Sequence, residues 1–341
     1  MLIPIYTSVE ISTTLQARAL DKLRIKELAV QVRPSAPMFA SVCSKLFKVV
    51  KSRVDVLSTW TNKLGEVKLF RNEQIHSDAD STSNADQSLQ FNVANRDEFL
   101  AQIPTDGKGI EIGPFANPQL HGPNIKYLDV LTSEQLKRRA RELGMDPEKV
   151  PHISYISNQN GFPEIPEIFD YALSCHSIEH QPDLIKHLNQ VEKILSPSGK
   201  YFLIIPDKRY CFDHYLAEST FADIVGAFLE QRIVHTAKSV IEHRALTTHN
   251  DPVAHFSGNH GDILSNQPQR ILQAISEFKN ASGSYIDVHA WQFVPESFTE
   301  LIANLNALGL TSFKITNIWN TPINNLEFFV TLTKSPGADA E

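Results

Sequence analysis

The chain has 341 residues, enough for one large domain or two, and its 32 Lys/Arg against 39 Asp/Glu exclude a generic nucleic-acid binder. The charge is unevenly spread: residues 1–71 hold 12 basic and 5 acidic side chains, leaving 20 and 34 for the remainder. A basic head on an acidic body expects an anionic contact for the head, or the body itself.

Three cysteines (Cys43, Cys175 and Cys211) without C-x-x-C spacing fit a reducing compartment and give no disulfide or thiolate–metal framework. Met1–Ser12 lacks a charged stretch followed by an apolar run, and no apolar run approaches the ~20 residues of a membrane span. The expectation is a cytoplasmic protein, peripheral at most at the inner membrane.

In the head, Leu15, Ala19, Leu23 and Leu28 recur at near-helical spacing until Pro34 and Pro37 break the pattern. From Met38 to Trp60 a second amphipathic pattern lines up Phe39, Val42, Leu46, Val49 and Val50, with Lys45, Lys48, Lys51 and Arg53 mostly elsewhere. Residues 38–60 have three readings: packing on the acidic body, lying on an anionic membrane surface, or contacting a partner protein. Residues 1–71 are therefore a basic helical segment. The polar run that follows makes 72–98 a linker.

From residue 99 to 335, strand-like and helix-like segments alternate, which implies a parallel sheet covered by helices. Strands are expected at Gly109–Ile112, Ile125–Val130, His152–Ile156, Phe169–Cys175 and Lys200–Ile205. Helices are expected at Thr132–Leu143 and Pro182–Leu195, the second ending in the loop Ser196–Gly199. Residues 207–290 break the alternation as a helical, substrate-side insertion with one long helix, Phe221–Arg244. A helix Pro295–Leu308 and strands Phe313–Ile318 and Leu326–Leu332 close the domain, and 336–341 is a disordered tail. The fold class is α/β: a doubly wound, Rossmann-like, seven-stranded sheet with an antiparallel last strand, a helical insertion and a separate helical N-terminal segment.

Glu111, Gly113 and Asp129 form the most informative constellation. A strand running into a Gly-containing turn, followed by a strand ending in a carboxylate, frames a nucleoside-bearing cofactor at a sheet edge. The glycine admits close backbone approach, and Asp129 can accept from both ribose hydroxyls. Glu111 lies within an apolar strand, where a buried carboxylate needs a cationic partner, the cofactor's ammonium or a protein cation. A pyrophosphate cradle would want G-x-G-x-x-G, whereas the turn reads G-P-F-A-N from Gly113 to Asn117. A phosphate-free cofactor, S-adenosylmethionine, fits better.

The motifs E-I-G-P-F at 111–115, Y-L-D-V at 127–130, F-D-Y-A-L-S-C-H-S-I-E-H at 169–180, K-I-L-S-P-S-G-K at 193–200 and I-P-D-K-R-Y-C-F-D at 205–213 resemble class I S-adenosylmethionine-dependent methyltransferases. More narrowly they resemble type 11 methyltransferase-domain proteins of polysaccharide biosynthesis clusters. The resemblance implies Glu111 and Gly113 at the methionine end of the cofactor, Pro114 among the cofactor-binding residues, Asp129 on the ribose, Ser157 and Asn158 near the adenine, and Ser174 to His176 near the transferred methyl group. It implies O-methylation of a sugar or glycan precursor. A small metabolite or lipid acceptor and a catalytically degenerate binding module are the alternatives; a nicotinamide-dependent enzyme lacks its glycines here.

A hydroxyl acceptor calls for a base, and His176, Asp207 and His289 are the candidates, in no fixed order. Arg209 and Tyr210 are candidate acceptor contacts. His176–His180 spells the H-x-x-E-H of a zinc peptidase, but that chemistry needs one helix, and here the run follows a strand. The family reading makes Glu179 and His180 structural. His235, His243, His249, His255 and His260 crowd the insertion without the spacing of a known metal site, so no metal is expected.

Overall fold

A computed structural model describes residues 93–158 and 160–335. The basic segment 1–71, most of the linker and the tail 336–341 lie outside the described residues, as does the stretch 38–60 with its three readings.

The sheet has strands β1 (Gly109–Ile112), β2 (Ile125–Asp129), β3 (Tyr155–Ile156), β4 (Phe169–Cys175), β5 (Leu195–Pro206), β6 (Phe313–Trp319) and β7 (Glu327–Lys334). Their order is β3-β2-β1-β4-β5-β7-β6, with β1 to β5 parallel and β7 antiparallel to both β5 and β6. The reversed strand is thus the one inserted between β5 and β6. The central strands β1, β4, β5 and β7 are buried along most of their length on both faces, and alternation sorts their residues by face. In β5, Tyr201, Leu203 and Ile205 join one core with α3 (Leu184–Ile194) and α8 (Pro295–Ala307), whereas Phe202 and Ile204 join the other with Val93, Phe99 and Phe329.

The second core brings residues 93–98 into the domain rather than the linker. Val93 is buried, and α1 (Arg96–Leu100) sets Phe99 against Phe202, Trp319 and Phe329. Residue 99 on its own therefore marks the boundary too late, because the apolar anchors are spaced among polar residues.

α2 (Ser133–Glu142) starts where Thr132 and Gln135 form a reciprocal capping box, and α3 starts at the Asp183 cap. Ser196–Gly199 belongs to β5 as a bulge and not to a loop: the pairing with β4 shifts register between Phe169 and Tyr171. The expected long helix is two, α4 (Phe221–Leu229) and α5 (Ala237–Ala245). Gln231 takes a positive φ of 52° between them, and the Thr236 hydroxyl restarts the helix by capping Ser239 N–H. The insertion also holds α6 (Pro252–Phe256) and α7 (Gln267–Ala281).

Candidate functional site

The sheet changes winding direction between β1 and β4, and the C-terminal ends of β1, β2 and β4 open there onto a cleft of about 690 Å³. Gly113 stands at its floor with φ +74°, donating its N–H to Leu128 O at 2.8 Å. The left-handed backbone favours glycine, and a Cβ here would lie 3.1 Å from Ser177 Oγ, which would have to give by a few tenths of an ångström. The turn that replaces the missing glycines carries Phe115, also left-handed at φ +45°, which lines the cleft.

Asp129 ends β2 and lines the same cleft, 7 % exposed. It accepts from Leu131 N–H at 3.1 Å, with further backbone donors at Val130 and Phe115. Burial pushes its pKa up, and those backbone donors oppose the shift. Ser157 N–H donates to the Asp129 carbonyl at 2.8 Å, which seats the loop after β3 beside the carboxylate. Asn158, Val130, Leu131 and Phe162 line an adjoining cavity of about 410 Å³.

Glu111 is buried, and its partners among the described residues are main-chain amides and no protein cation. Gln119 N–H and Leu120 N–H donate to it at 2.8 to 3.0 Å, so the carboxylate folds the chain after the turn back onto β1. Burial raises its pKa to about 7 despite those two amides. Pro114 follows Gly113 in the turn without lining the cleft, and its carbonyl accepts from Asn117 N–H at 3.0 Å. Ser174 lies inside the sheet, away from the cleft, its hydroxyl 2.6 Å from Tyr201 Oη, which also meets His187 Nε2 at 2.9 Å.

Of the three candidate bases, His176 lines the cleft. It leaves β4 with φ +48°, and its Nε2 lies 2.7 Å from Glu327 Oε2 at the start of β7. Arg96 grips the same carboxylate through two nitrogens at 2.9 and 2.5 Å. Burial would raise the Glu327 pKa, but the hydrogen bonds from Arg96 and His176 outweigh it and hold it down at about 2.

Asp207 does not join the cleft. It is fully buried, held by the Arg209 guanidinium at 2.6 to 3.2 Å and by the Thr321 hydroxyl at 2.6 Å. Arg209 is thereby committed to Asp207, and Tyr210 stacks on Phe256 with ring centroids 3.9 Å apart. His289 lies behind the cleft wall, Nδ1 2.6 Å from Asp213 Oδ2. Residues of the insertion that do line the cleft are Arg244, Glu277, Tyr285, Ile286 and Asp287.

His180, read from sequence as structural, lines both cavities. Its Nδ1 lies 2.9 Å from Asp287 Oδ1. Burial would lower the His180 pKa, but Asp287 and the nearby Glu179 raise it overall. The loop carrying His180 is stitched to the end of the insertion by main chain: Ala290 and Trp291 N–H both donate to Glu179 O, at 2.7 and 3.3 Å. Trp291 Nε1 donates to Gln181 O at 2.6 Å.

Sequence spacing hides three groupings that folding creates. His214, His255 and His260 present ring nitrogens within 4.8 Å of one another, and so do the ligand atoms of Glu179, His180 and His289, and those of Asp213, His243 and His289. No helix among the described residues is long and apolar enough to cross a membrane.

No family model matches the chain, and no curated protein does. Several solved structures are similar in chain path. An S-adenosylmethionine-dependent methyltransferase from Mesorhizobium loti is 15 % identical with TM-score 0.36, the match covering 69 % of this chain and 94 % of that one. The mitomycin 7-O-methyltransferase MmcR is 10 % identical with TM-score 0.32; 67 % of this chain is covered, and the chain spans 49 % of that protein. A structure described as putative Zn-dependent alcohol dehydrogenases from Rhodobacter sphaeroides is 14 % identical with TM-score 0.37, covering 70 % of this chain and 88 % of that one.

Proposed function

We propose that the domain transfers a methyl group from S-adenosylmethionine to a hydroxyl of a sugar or glycan precursor. The observation that carries the reading is Asp129, a carboxylate at the end of β2 that faces the same cleft as Gly113. There it can accept from two ribose hydroxyls. The turn after Gly113 is filled by Pro114 and Phe115, which suits a cofactor without phosphates. The adjoining cavity beside Ser157 and Asn158, with apolar walls from Leu131 and Phe162, suits an adenine. Arg139, Arg244, Glu277 and Tyr285 around the cleft offer the hydrogen-bonding groups a polyhydroxylated acceptor needs.

The sulfonium activates its own methyl carbon, so alignment is the protein's main task. The acceptor oxygen forms the new C–O bond while the C–S pair returns to sulfur, releasing S-adenosylhomocysteine. The hydroxyl proton goes to His176. Glu327 holds the His176 Nε2–H, which leaves Nδ1, with the Glu179 carboxylate 3.9 Å behind it, as the acceptor of that proton.

Calorimetry with S-adenosylmethionine, S-adenosylhomocysteine and NAD tests the reading. The first two should bind and NAD should not; absence of binding by the first two sinks it. Asp129→Ala should weaken S-adenosylmethionine by at least about tenfold, about 1.4 kcal/mol. Labelled-methyl transfer to nucleotide sugars and glycans, against lipids and small metabolites, tests the acceptor class.

A further inference from the structure

A carboxylate taken out of water needs partners, because an isolated buried charge costs several kcal/mol. Glu179 is 0 % exposed, and neither of its oxygens has a hydrogen-bond partner among the described residues. Three imidazole nitrogens surround its Oε1 instead: His176 Nδ1 at 3.9 Å, His180 Nε2 at 4.0 Å and His289 Nε2 at 3.9 Å. These separations are too long for hydrogen bonds.

The opposite nitrogen of each ring meets a carboxylate: His289 Nδ1 to Asp213 at 2.6 Å, His180 Nδ1 to Asp287 at 2.9 Å, His176 Nε2 to Glu327 at 2.7 Å. A carboxylate accepts, so in the neutral His289 and His176 rings the proton sits on that outer nitrogen and a lone pair faces Glu179, whereas His180 Nδ1 is close to Asp287 without hydrogen-bond geometry. Lone pairs converging on a carboxylate repel one another unless a cation stands between them. A histidine held on its far nitrogen by a carboxylate is also the usual outer support of a metal ligand.

We propose that Glu179, His180 and His289 bind one divalent first-row transition ion of the zinc type. Their ligand atoms lie within 4.8 Å of one another, and the His180 and His289 rings stand edge to face at 87°, so their lone pairs point in different directions. Tetrahedral ligands ~2.0–2.1 Å from an ion lie ~3.4 Å apart, so the Glu179–His180 and Glu179–His289 separations of 4.0 and 3.9 Å close by about half an ångström on binding. Two imidazoles and a carboxylate match zinc and its neighbours in ligand type. This is not the peptidase use of H-x-x-E-H: Glu179 itself is a ligand, and the third ligand comes from the end of the insertion.

The two rival groupings are already satisfied: in that of Asp213, His243 and His289, Asp213 Oδ2 lies 2.6 Å from His289 Nδ1 and His243 Nδ1 accepts from His289 N–H at 3.1 Å. In the other, His255 Nδ1 bonds His260 Nδ1 at 3.0 Å, and the His214 and His260 rings stack at 3.7 Å and 10°, which runs their lone pairs parallel. If the cleft transfers methyl groups as proposed above, a hydroxyl held on the ion would be acidified beside His176. That consequence rests on the transfer reading; the metal site does not.

The test uses the full chain, stripped with chelator and titrated separately with Zn²⁺ and Co²⁺. Bound metal is counted by elemental analysis, and cobalt coordination is read from its visible spectrum. One equivalent should bind, with affinity falling by roughly 100-fold or more in Glu179→Gln and in His180→Asn, the latter at a partly exposed ring with little folding risk. His260→Asn should retain the ion. No uptake by the wild-type chain overturns the proposal, as does metal kept by E179Q and H180N but lost by H260N. S-adenosylmethionine binding measured on the same proteins separates the two readings: its loss throughout, with metal retained, sinks methyl transfer alone.

Discussion

His289 is fixed by Asp213: the Nδ1–H donates to Asp213 Oδ2 at 2.6 Å, which sets the tautomer and turns Nε2 toward Glu179. Asp213→Asn keeps the shape but loses the charge and the enforced tautomer. Zinc affinity should fall by ~10–100-fold, the usual effect of removing an outer carboxylate. Competition titration against a chromophoric chelator measures it, and S-adenosylmethionine affinity should stay unchanged.

Gly113 bears on both stability and cofactor binding. Gly113→Ala forces a side chain into a left-handed backbone, worth about 1–2 kcal/mol, and puts a methyl group against Ser177 Oγ. Urea unfolding should show that loss. Calorimetry should show S-adenosylmethionine weakened as the turn shifts.

The Arg96–Glu327–His176 chain implies an acid limb in the stability profile. Glu327 has a folded pKa of about 2 against an ordinary 4.5, so its contribution is present above pH 4.5. It is lost as the pH falls through about 2. A depression of that size corresponds to something on the order of 3 kcal/mol. Denaturant unfolding from pH 7 down to pH 2 should show this limb in the wild-type chain and not in Glu327→Gln.

Ser174 is a test of position. Its hydroxyl serves Tyr201 inside the sheet. Ser174→Ala should therefore cost about 1 kcal/mol of stability and leave S-adenosylmethionine affinity unchanged. A tenfold loss of affinity would put the residue back at the cofactor.

Local signals carried the parts of this molecule that depend on neighbours in sequence. β4 matches its expected span because an apolar run is bounded by Pro-rich sequence on one side and His176 on the other. α2 matches because Thr132 and Gly144 mark its ends. The break between α4 and α5 carries no proline or glycine; Thr236 was the readable sign, a cap within an apparently continuous apolar pattern. The cluster around Glu179 is illegible for a different reason. His180 and His289 meet only because the chain returns from the insertion to the end of β4, and periodicity does not encode such a return. The same limit applies to Asp207, whose place at the end of β5 suggests a ligand site until Arg209 and Thr321 are seen to enclose it.

The double acceptance by the Glu179 carbonyl, from Ala290 and Trp291, has a mechanical meaning. Main-chain bonds resist displacement in a way that side-chain contacts do not, and the Trp291 indole on Gln181 adds a third stitch. The end of the insertion is therefore anchored at three points to the loop that carries Glu179 and His180, so a change in the position of one is passed to the other.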